Sequence, residues 1–162
     1  MSNHFKVNIT WVKVGNTCGY AGIIRDHFGL FISNFAGLTE VNNMHLVFLM
    51  SVMSGITLCK KLKIKNIIFE ANFPLVNLVD TGMNASTCAP SLFYFRRRII
   101  EELDSFLHLF SVINEKVNAV AQALAYFGTV FKNYKEINLD QLPTYIQGLL
   151  NLNKVCFPYV YH

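Results

Sequence analysis

Hydrophobic and polar residues alternate along the first part of the chain. Phe5, Val7 and Ile9 are apolar and the residues between them are polar, which is the period-two pattern of a strand with one buried face. Two further apolar runs follow at 19–25 and 30–35, each separated from its neighbour by a short turn segment. Three consecutive strands with short connections predict an antiparallel meander.

The pattern then changes to a helical period. Between about 43 and 61 the apolar side chains recur every three or four residues, and Phe48, Val52 and Cys59 fall on one face. A fourth strand is predicted at 65–70. Because a helix connects the third strand to the fourth, the fourth strand should run parallel to a neighbour.

The rest of the chain predicts three more helices and one more strand. The expected order is a short helix, a longer helix, a fifth strand and a last helix, at 74–82, 91–106, 107–113 and 117–125. Pattern alone indicates a protein of the α/β or α+β class. We predict a main domain at 1–130 and a C-terminal extension at 131–162 that packs on the domain or trails from it.

Composition indicates a folded domain, since 52% of the 162 residues are hydrophobic and 15% are charged. The net charge of +4 is compatible with a polyanionic partner without requiring one. Cys18, Cys59, Cys88 and Cys156 lack the spacing of a zinc site, so reduced thiols are expected. Neither a signal peptide nor a membrane-spanning run is evident, so we expect an intracellular protein, nuclear or cytoplasmic, without membrane contact.

Four segments carry the most recognisable sequence: 6–10 (KVNIT), 22–26 (GIIRD), 67–72 (IIFEAN) and 118–125 (NAVAQALA). In this order they resemble the reverse-transcriptase-like ribonuclease H domains that are abundant in plants. That family typically reads K-V-N-x-D-G, G-x-[VI]-[IL]-R-D, [IL]-x-x-E-S-D and N-x-x-A-D-x-L-A. The resemblance implies an α/β ribonuclease H-like fold with a five-stranded mixed sheet flanked by helices, in the order βββαβααβα.

The metal-binding acids of that family are absent here. The resemblance places them at Thr10, Asn72 and Gln122, with a fourth on the first helix at or near Phe48. Two-metal nucleases hold two cations close together, and hard cations such as Mg²⁺ need anionic oxygen ligands. Neutral amides, a hydroxyl and a phenyl ring do not offset the repulsion between two dications. We therefore expect no intact catalytic set, no metal ligands and no Mg²⁺ or Mn²⁺ cofactor.

Other acids could still serve a divergent nuclease, and Glu70, Asp26 and Glu40 are the candidates. Glu70 lies two residues before Asn72, on the same strand face. The family also has an acid at that position, so Glu70 is not a compensating change.

Several basic and polar residues are candidate contacts to nucleic acid: Lys13, Asn16, Arg96, Arg97, Arg98, Lys116 and Asn118. Three consecutive helical residues cannot share one face, so at least one arginine should pair with a local acid such as Glu101 or Glu102. A second basic cluster is interpreted as a solvated helix end, where cations complement the helix dipole: Lys60, Lys61, Lys63 and Lys65.

Three functions are consistent with these features, in order of preference. The first is a catalytically inactive, retrotransposon-derived ribonuclease H-like domain, a pseudoenzyme that binds RNA or an RNA–DNA hybrid. The second is a protein-interaction or structural module without nucleic-acid contact. The third is a divergent active ribonuclease specific for RNA–DNA hybrids. The oligomeric state stays open.

Overall fold

The computed structural model describes residues 4–40, 44–72, 90–114, 118–130 and 134–150. Three antiparallel strands open the chain: β1 (Phe5–Val14), β2 (Thr17–Arg25) and β3 (Phe31–Thr39). A two-residue turn joins β1 to β2, and its first residue, Gly15, has a φ of 62°, a conformation that glycine adopts without strain. The predicted meander is confirmed, although β1 continues past Thr10 to the turn itself.

A helix and a parallel strand follow the meander. Helix α1 spans Met44–Lys61 and leads into β4 (Asn66–Ala71), which pairs in parallel with β1 as predicted. Helix α2 (Pro90–Leu103), strand β5 (Leu107–Val112) and helix α3 (Ala119–Gly128) complete the predicted order, with β5 parallel to β4. The short helix predicted at 74–82 lies outside the described residues.

Within the described residues the sheet has six strands, so the prediction of five was wrong. Strand β6 (Lys135–Ile137) pairs antiparallel with β3 and gives the strand order β5-β4-β1-β2-β3-β6. A strand of three residues is too short to show a period in the sequence. Its pairing covers part of the edge of β3, which would otherwise present unpaired backbone groups.

Two apolar layers cover the two faces of the sheet. Helices α1 and α2 pack on the face that carries Val7, Ile9 and Phe69, and this layer is called the first core. Helix α3 packs on the opposite face, against β1, β2 and β3, and forms the second core. It approaches β2 so closely that a Cβ atom on Gly19 would overlap the carbonyl oxygen of Ala125.

Part of the predicted C-terminal extension packs on this second core. After β6 come a 3₁₀ turn, Leu139–Gln141, and a helical segment at 144–150, called α4. Leu142, Ile146 and Leu150 are buried in the second core beside residues of α3. We propose that 134–150 and the preceding domain unfold as one unit.

Truncation of Ile146 tests this proposal. Ile146 has no exposed surface, so Ile146→Ala should lower the free energy of unfolding by about 2 kcal/mol, through lost burial and the cavity left behind. Urea unfolding followed by circular dichroism should show one transition at a lower midpoint. An unchanged midpoint, or a separate early transition, would mean that α4 is an independent appendage. Tyr145→Ala, at an exposed position of the same helix, is the control.

Two cysteines lie among the described residues, and both are free and buried, as predicted. They are Cys18 in β2 and Cys59 in α1. Burial raises the pKa of the Cys59 thiol to about 12, which keeps it protonated and weakly nucleophilic at neutral pH. Cys88 and Cys156 lie outside the described residues. No helix in the described part of the chain is long and apolar enough to cross a membrane.

Candidate functional site

Thr10 lies in the interior of β1 and is almost completely buried. Its Cα pairs with that of Ala21 in β2, and 3% of the residue is exposed. Ile9 and Trp11 on either side of it contribute to the first core. Because side chains alternate along a strand, Thr10 points towards the opposite face, where α3 packs.

Asn118, at the start of α3, joins the ends of two strands. Its Nδ2 donates one hydrogen bond to the carbonyl oxygen of Ile9 and another to Oδ1 of Asn72, both at 3.1 Å. These bonds form just beyond the last residue pair of the β1–β4 register, Asn8 and Glu70. Because a carbonyl oxygen can only accept, the Ile9 contact fixes which end of the Asn118 amide is the donor.

Gln122 lies one helical turn after Asn118. Its backbone N–H donates to the carbonyl oxygen of Asn118 at 3.0 Å, and its side chain is partly exposed. Residues four apart share a face of a helix, so Gln122 lies on the side of α3 that carries Asn118. Thr10, Asn72, Asn118 and Gln122 are together called the amide cluster, and they include three of the four positions at which the family acids were expected.

Phe48, the fourth position, belongs to the other layer. It is 1% exposed and packs in the first core. One turn further along α1, the Ser51 hydroxyl donates to the carbonyl oxygen of Ala21 at 3.2 Å. Since Ala21 pairs with Thr10, this bond places Phe48 towards the same end of the sheet as Thr10. The phenyl ring is nevertheless part of the first core, whereas Thr10 faces the second.

The amide cluster offers neutral oxygens from side chains and backbone. Within the described ranges, no three His, Cys, Asp or Glu side chains come close enough to hold a metal ion together. One amide of the cluster is already used internally, since Asn118 binds Asn72 and Ile9. This set does not match the donor chemistry of two closely spaced dications, which need several carboxylates.

The three alternative acids lie in different places. Asp26 is in the β2–β3 turn, where its Oδ1 accepts hydrogen bonds from the backbone N–H groups of Phe28 and Leu30, both at 2.9 Å. This turn follows the end of β2 at Arg25, four residues beyond Ala21, the pairing partner of Thr10. Glu40 is exposed at the end of β3. Glu70 is buried in β4, in register with Asn8.

Polar residues line up across the sheet on the face of the second core, an arrangement that was not directly predictable from the sequence. Asn34, Ile23, Asn8 and Glu70 lie in register on four neighbouring strands, and the three polar members are at most 3% exposed. Among the described residues, Oδ1 of Asn8 and both amide atoms of Asn34 have no hydrogen-bond partner. The available signal was Asn34, which lies in a largely apolar strand, whereas Asn8 fits the ordinary polar positions of β1.

Lys13 and Asn16 lie near the tip of the β1–β2 hairpin. Both are exposed, Lys13 three residues beyond Thr10 and Asn16 in the turn. At the rise of about 3.3 Å per residue in a strand, the Lys13 backbone is about 10 Å from that of Thr10. The hairpin therefore projects cationic and polar groups beyond the amide cluster.

The arginine triplet lies on α2, which packs on α1 in the first layer. Arg97 pairs with Glu101 through its Nε at 3.3 Å, as predicted for at least one of the three. Arg98 is exposed and Arg96 is partly buried. Glu102, the other expected local partner, instead forms an ion pair with Lys60. The triplet and the hairpin tip therefore lie on different elements.

Two remaining candidates have different outcomes. Lys116 lies outside the described residues. Asn118 has no exposed surface, and its Nδ2 is engaged by Asn72 and Ile9. A side chain with no exposed surface cannot touch a bound nucleic acid in this conformation, so the structure gives Asn118 an internal role.

The mixed sheet with helices on both faces defines a ribonuclease H-like α/β fold. The sequence matches the reverse transcriptase-like family over residues 5–128, and the chain belongs to this family. A comparison with curated proteins gave no significant sequence match.

Solved ribonuclease H structures share the fold at low sequence identity. The ribonuclease H1 of the halophilic archaeon Halobacterium salinarum superposes with a TM-score of 0.67 and 14% identity, over 77% of this chain and 96% of that one. The N-terminal ribonuclease H domain of a Mycobacterium tuberculosis protein gives 0.68 and 12%, over 80% and 95%. LC11 ribonuclease H1, solved in complex with an RNA/DNA hybrid, gives 0.63 and 15%, over 74% and 92%.

Proposed function

We propose that this chain is a catalytically inactive ribonuclease H-like domain that binds RNA or an RNA–DNA hybrid. The observation that carries the proposal is the Asn118 bridge to Asn72 and to the Ile9 carbonyl. Where the family resemblance expects acids, this chain has Thr10, Phe48, Asn72 and Gln122, and the Asn72 amide accepts a hydrogen bond from Asn118, an asparagine that the family motif also has. A domain built in this way keeps the fold of a hybrid-binding enzyme without the charge that two dications need.

Nucleic acid is the partner that the family and the exposed charge favour. LC11 ribonuclease H1, which has the same fold, was solved with an RNA/DNA hybrid. The chain has a net charge of +4, and Lys13 is exposed near the tip of the β1–β2 hairpin, three residues beyond Thr10. Lysines on such a hairpin would contact phosphates and give an affinity that depends on salt and little on sequence.

A hybrid-binding experiment tests both parts of the proposal. Fluorescence anisotropy with a labelled RNA–DNA hybrid should show binding that weakens as salt is raised. With Mn²⁺ present, the probe should be intact afterwards. Cleavage would overturn the proposed inactivity, and absence of binding at low salt would overturn the proposed partner.

A matched pair of charge variants locates the contact. Lys13→Gln should weaken hybrid binding several-fold because one phosphate contact is lost. The slope of the logarithm of the binding constant against the logarithm of salt concentration should become shallower by about one. Lys61→Gln removes the same charge from an exposed position where Lys61 pairs with Glu136 at 2.7 Å. If the two variants lose affinity equally, the effect is one of net charge and the hairpin is not the contact.

A second candidate function is protein interaction without nucleic acid. Strand β5 is an edge strand, and three of its apolar residues are largely exposed: Leu107 (65%), Leu109 (57%) and Val112 (61%). An uncharged apolar edge can accept a further strand from a partner. If the hybrid does not bind, this edge is the next surface to test, through substitution of Leu109 by lysine.

A further inference from the structure

A pocket lies where α1 ends and β4 and β5 begin. It has a volume of about 360 Å³ and is lined by Lys60, Lys63, Ile64, Lys65, Ser105 and Phe106. Cavities of this size accommodate small ligands. Asn72 lies just beyond the other end of β4. It is six residues from Asn66, where β4 begins beside the pocket, and this corresponds to about 20 Å at the rise per residue of a strand. The pocket is therefore separate from the amide cluster.

The backbone at Lys63 has a conformation that lysine rarely adopts. Its φ is 59°, and no other non-glycine residue in the described ranges has a positive φ. The Ile64 N–H donates to the Cys59 carbonyl at 2.9 Å and the Lys63 N–H to the Lys60 carbonyl at 3.0 Å. These two bonds form a Schellman motif with Lys63 in the left-handed position, where glycine is strongly preferred.

The local ion pairs do not explain a lysine at this position. Lys60 pairs with Glu102 and Lys61 pairs with Glu136. Lys63 and Lys65 have no acidic partner within 4 Å among the described residues, although Asp104 precedes the pocket residue Ser105. Lys63 and Lys65 follow the C-terminus of α1, where cations complement the helix dipole. They also repel one another, and an anion bound between them would relieve that repulsion.

The residues that line the pocket favour a small anion with a high charge. Ile64 and Phe106 are buried and give it an apolar floor, which strengthens electrostatic attraction relative to open water. The carbonyl oxygens of Cys59 and Lys60, which would repel an anion, already accept the bonds of the Schellman motif. Ser105 forms one side of the pocket. Its hydroxyl donates a hydrogen bond to the Glu102 carbonyl oxygen at 2.9 Å.

We propose that this pocket binds the phosphate group of a small phosphorylated molecule, with Lys63 and Lys65 as the charge contacts. Lysine binds phosphate as a compact point charge without a fixed geometry. An unfavourable backbone conformation kept at a ligand-lining residue is typical of binding sites. The proposal stands independently of hybrid binding at the other end of the sheet.

The test uses inorganic pyrophosphate as the probe and the full chain. Titration followed by amide NMR should shift the Lys63, Lys65 and Ser105 resonances in a saturable manner. Lys63→Gly should weaken binding about fivefold or more, since one charge at contact distance is worth at least that factor. The same variant should raise the melting temperature by about 2 °C, because glycine suits the left-handed position.

Opposite effects on binding and stability distinguish a ligand site from a structural lysine. Lys65→Gln should weaken pyrophosphate binding without raising the melting temperature. Lys61 is an exposed charge outside the pocket, so Lys61→Gln should leave the affinity for pyrophosphate within about twofold of that of the unaltered protein. Absence of saturable shifts, or equal weakening by Lys61→Gln, would overturn the proposal. So would shifts at these amides produced by single-stranded RNA and not by pyrophosphate, because the pocket would then serve a polymer.

Discussion

Phe48→Glu, which introduces an acid at the position expected from the family, should prevent folding at neutral pH. Phe48 is 1% exposed in the first core. Loss of the ring costs about 3–5 kcal/mol, and an unpaired buried carboxylate adds several more. The sum is comparable to the whole stability of a typical domain, about 5–15 kcal/mol. Circular dichroism and the dispersion of amide NMR signals measure the outcome directly.

The control for this change lies on the same helix. Thr57 is exposed on α1, and Thr57→Glu introduces the same side chain into water, where the free energy of unfolding should change by about 0.5 kcal/mol or less. A folded Phe48→Glu protein with near-normal stability would show that the position opens towards solvent. It would also revive the possibility of a metal ligand on α1.

The destabilisation that we expect from Phe48→Glu should increase with pH. Burial raises the pKa of a carboxyl group above its unfolded value of about 4.3. The folded state then binds the proton more tightly, so the penalty is smallest below about pH 4 and grows as pH rises through the folded pKa. Any folded Phe48→Glu protein should therefore appear at acidic pH first.

If Phe48→Glu behaves in this way, the loss of the family acids is not reversible one residue at a time. Thr10 and Phe48 are each almost completely buried, on different faces of the sheet. Aspartate at position 10 would lie beside the neutral amide cluster, and glutamate at position 48 would lie among the apolar side chains of the first core. Neither the amides nor the apolar side chains supply a counter-ion.

The elements with a strong local period were predictable from the sequence. Alternation at Phe5, Val7 and Ile9 predicted β1, and the helical spacing of Phe48, Val52 and Cys59 predicted α1, which ends at Lys61 as expected. The period identified both elements, although β1 is buried on both faces, since Asn8 and Thr10 are at most 3% exposed. The continuation of β1 to Val14 was missed because Trp11 and Val12 are both apolar and break the alternation.

Interactions between distant parts of the chain were not predictable in the same way. Strand β6 pairs with β3 about one hundred residues earlier in the sequence, and its three residues have no pattern of their own. Family resemblance grouped Thr10, Asn72 and Gln122. The contact between Asn118 and Asn72, which are 46 residues apart, is visible only in the folded structure. Asn118 was expected to face a ligand, and its amide instead joins the sheet to α3.

The lysines after α1 show how an interpretation from sequence can be partly right. Lys60 and Lys61 end the helix and form ion pairs, as a solvated helix end predicts. Lys63 and Lys65 lie beyond the helix, and the conformation at Lys63 was invisible in the sequence because glycine would have been the expected residue. Lys63 departs from the preference for glycine at this position, and such departures are expected at functional or strained sites.

The direction of the Asn118–Asn72 hydrogen bond predicts that the two asparagines respond oppositely to aspartate. Asn118→Asp should lower the free energy of unfolding by about 3–5 kcal/mol at neutral pH. The donor to Ile9 and Asn72 is lost, and a fully buried carboxylate then faces two oxygen acceptors. Asn72→Asp keeps the acceptor for Asn118 Nδ2, now charge-assisted, at a partly exposed position. Its effect should be about 1 kcal/mol or less.

Urea unfolding of both variants at neutral and acidic pH measures this asymmetry. Burial raises the pKa of an aspartate at 118 above about 3.9, so its penalty should grow as pH rises from that value and largely persist at pH 7. Asn118→Ala separates the lost hydrogen bonds from the added charge and should cost about 1–3 kcal/mol. Equal losses for Asn118→Asp and Asn72→Asp would mean that the amide cluster is solvated, and its neutral interior could then no longer be the reason for proposing that the domain is inactive.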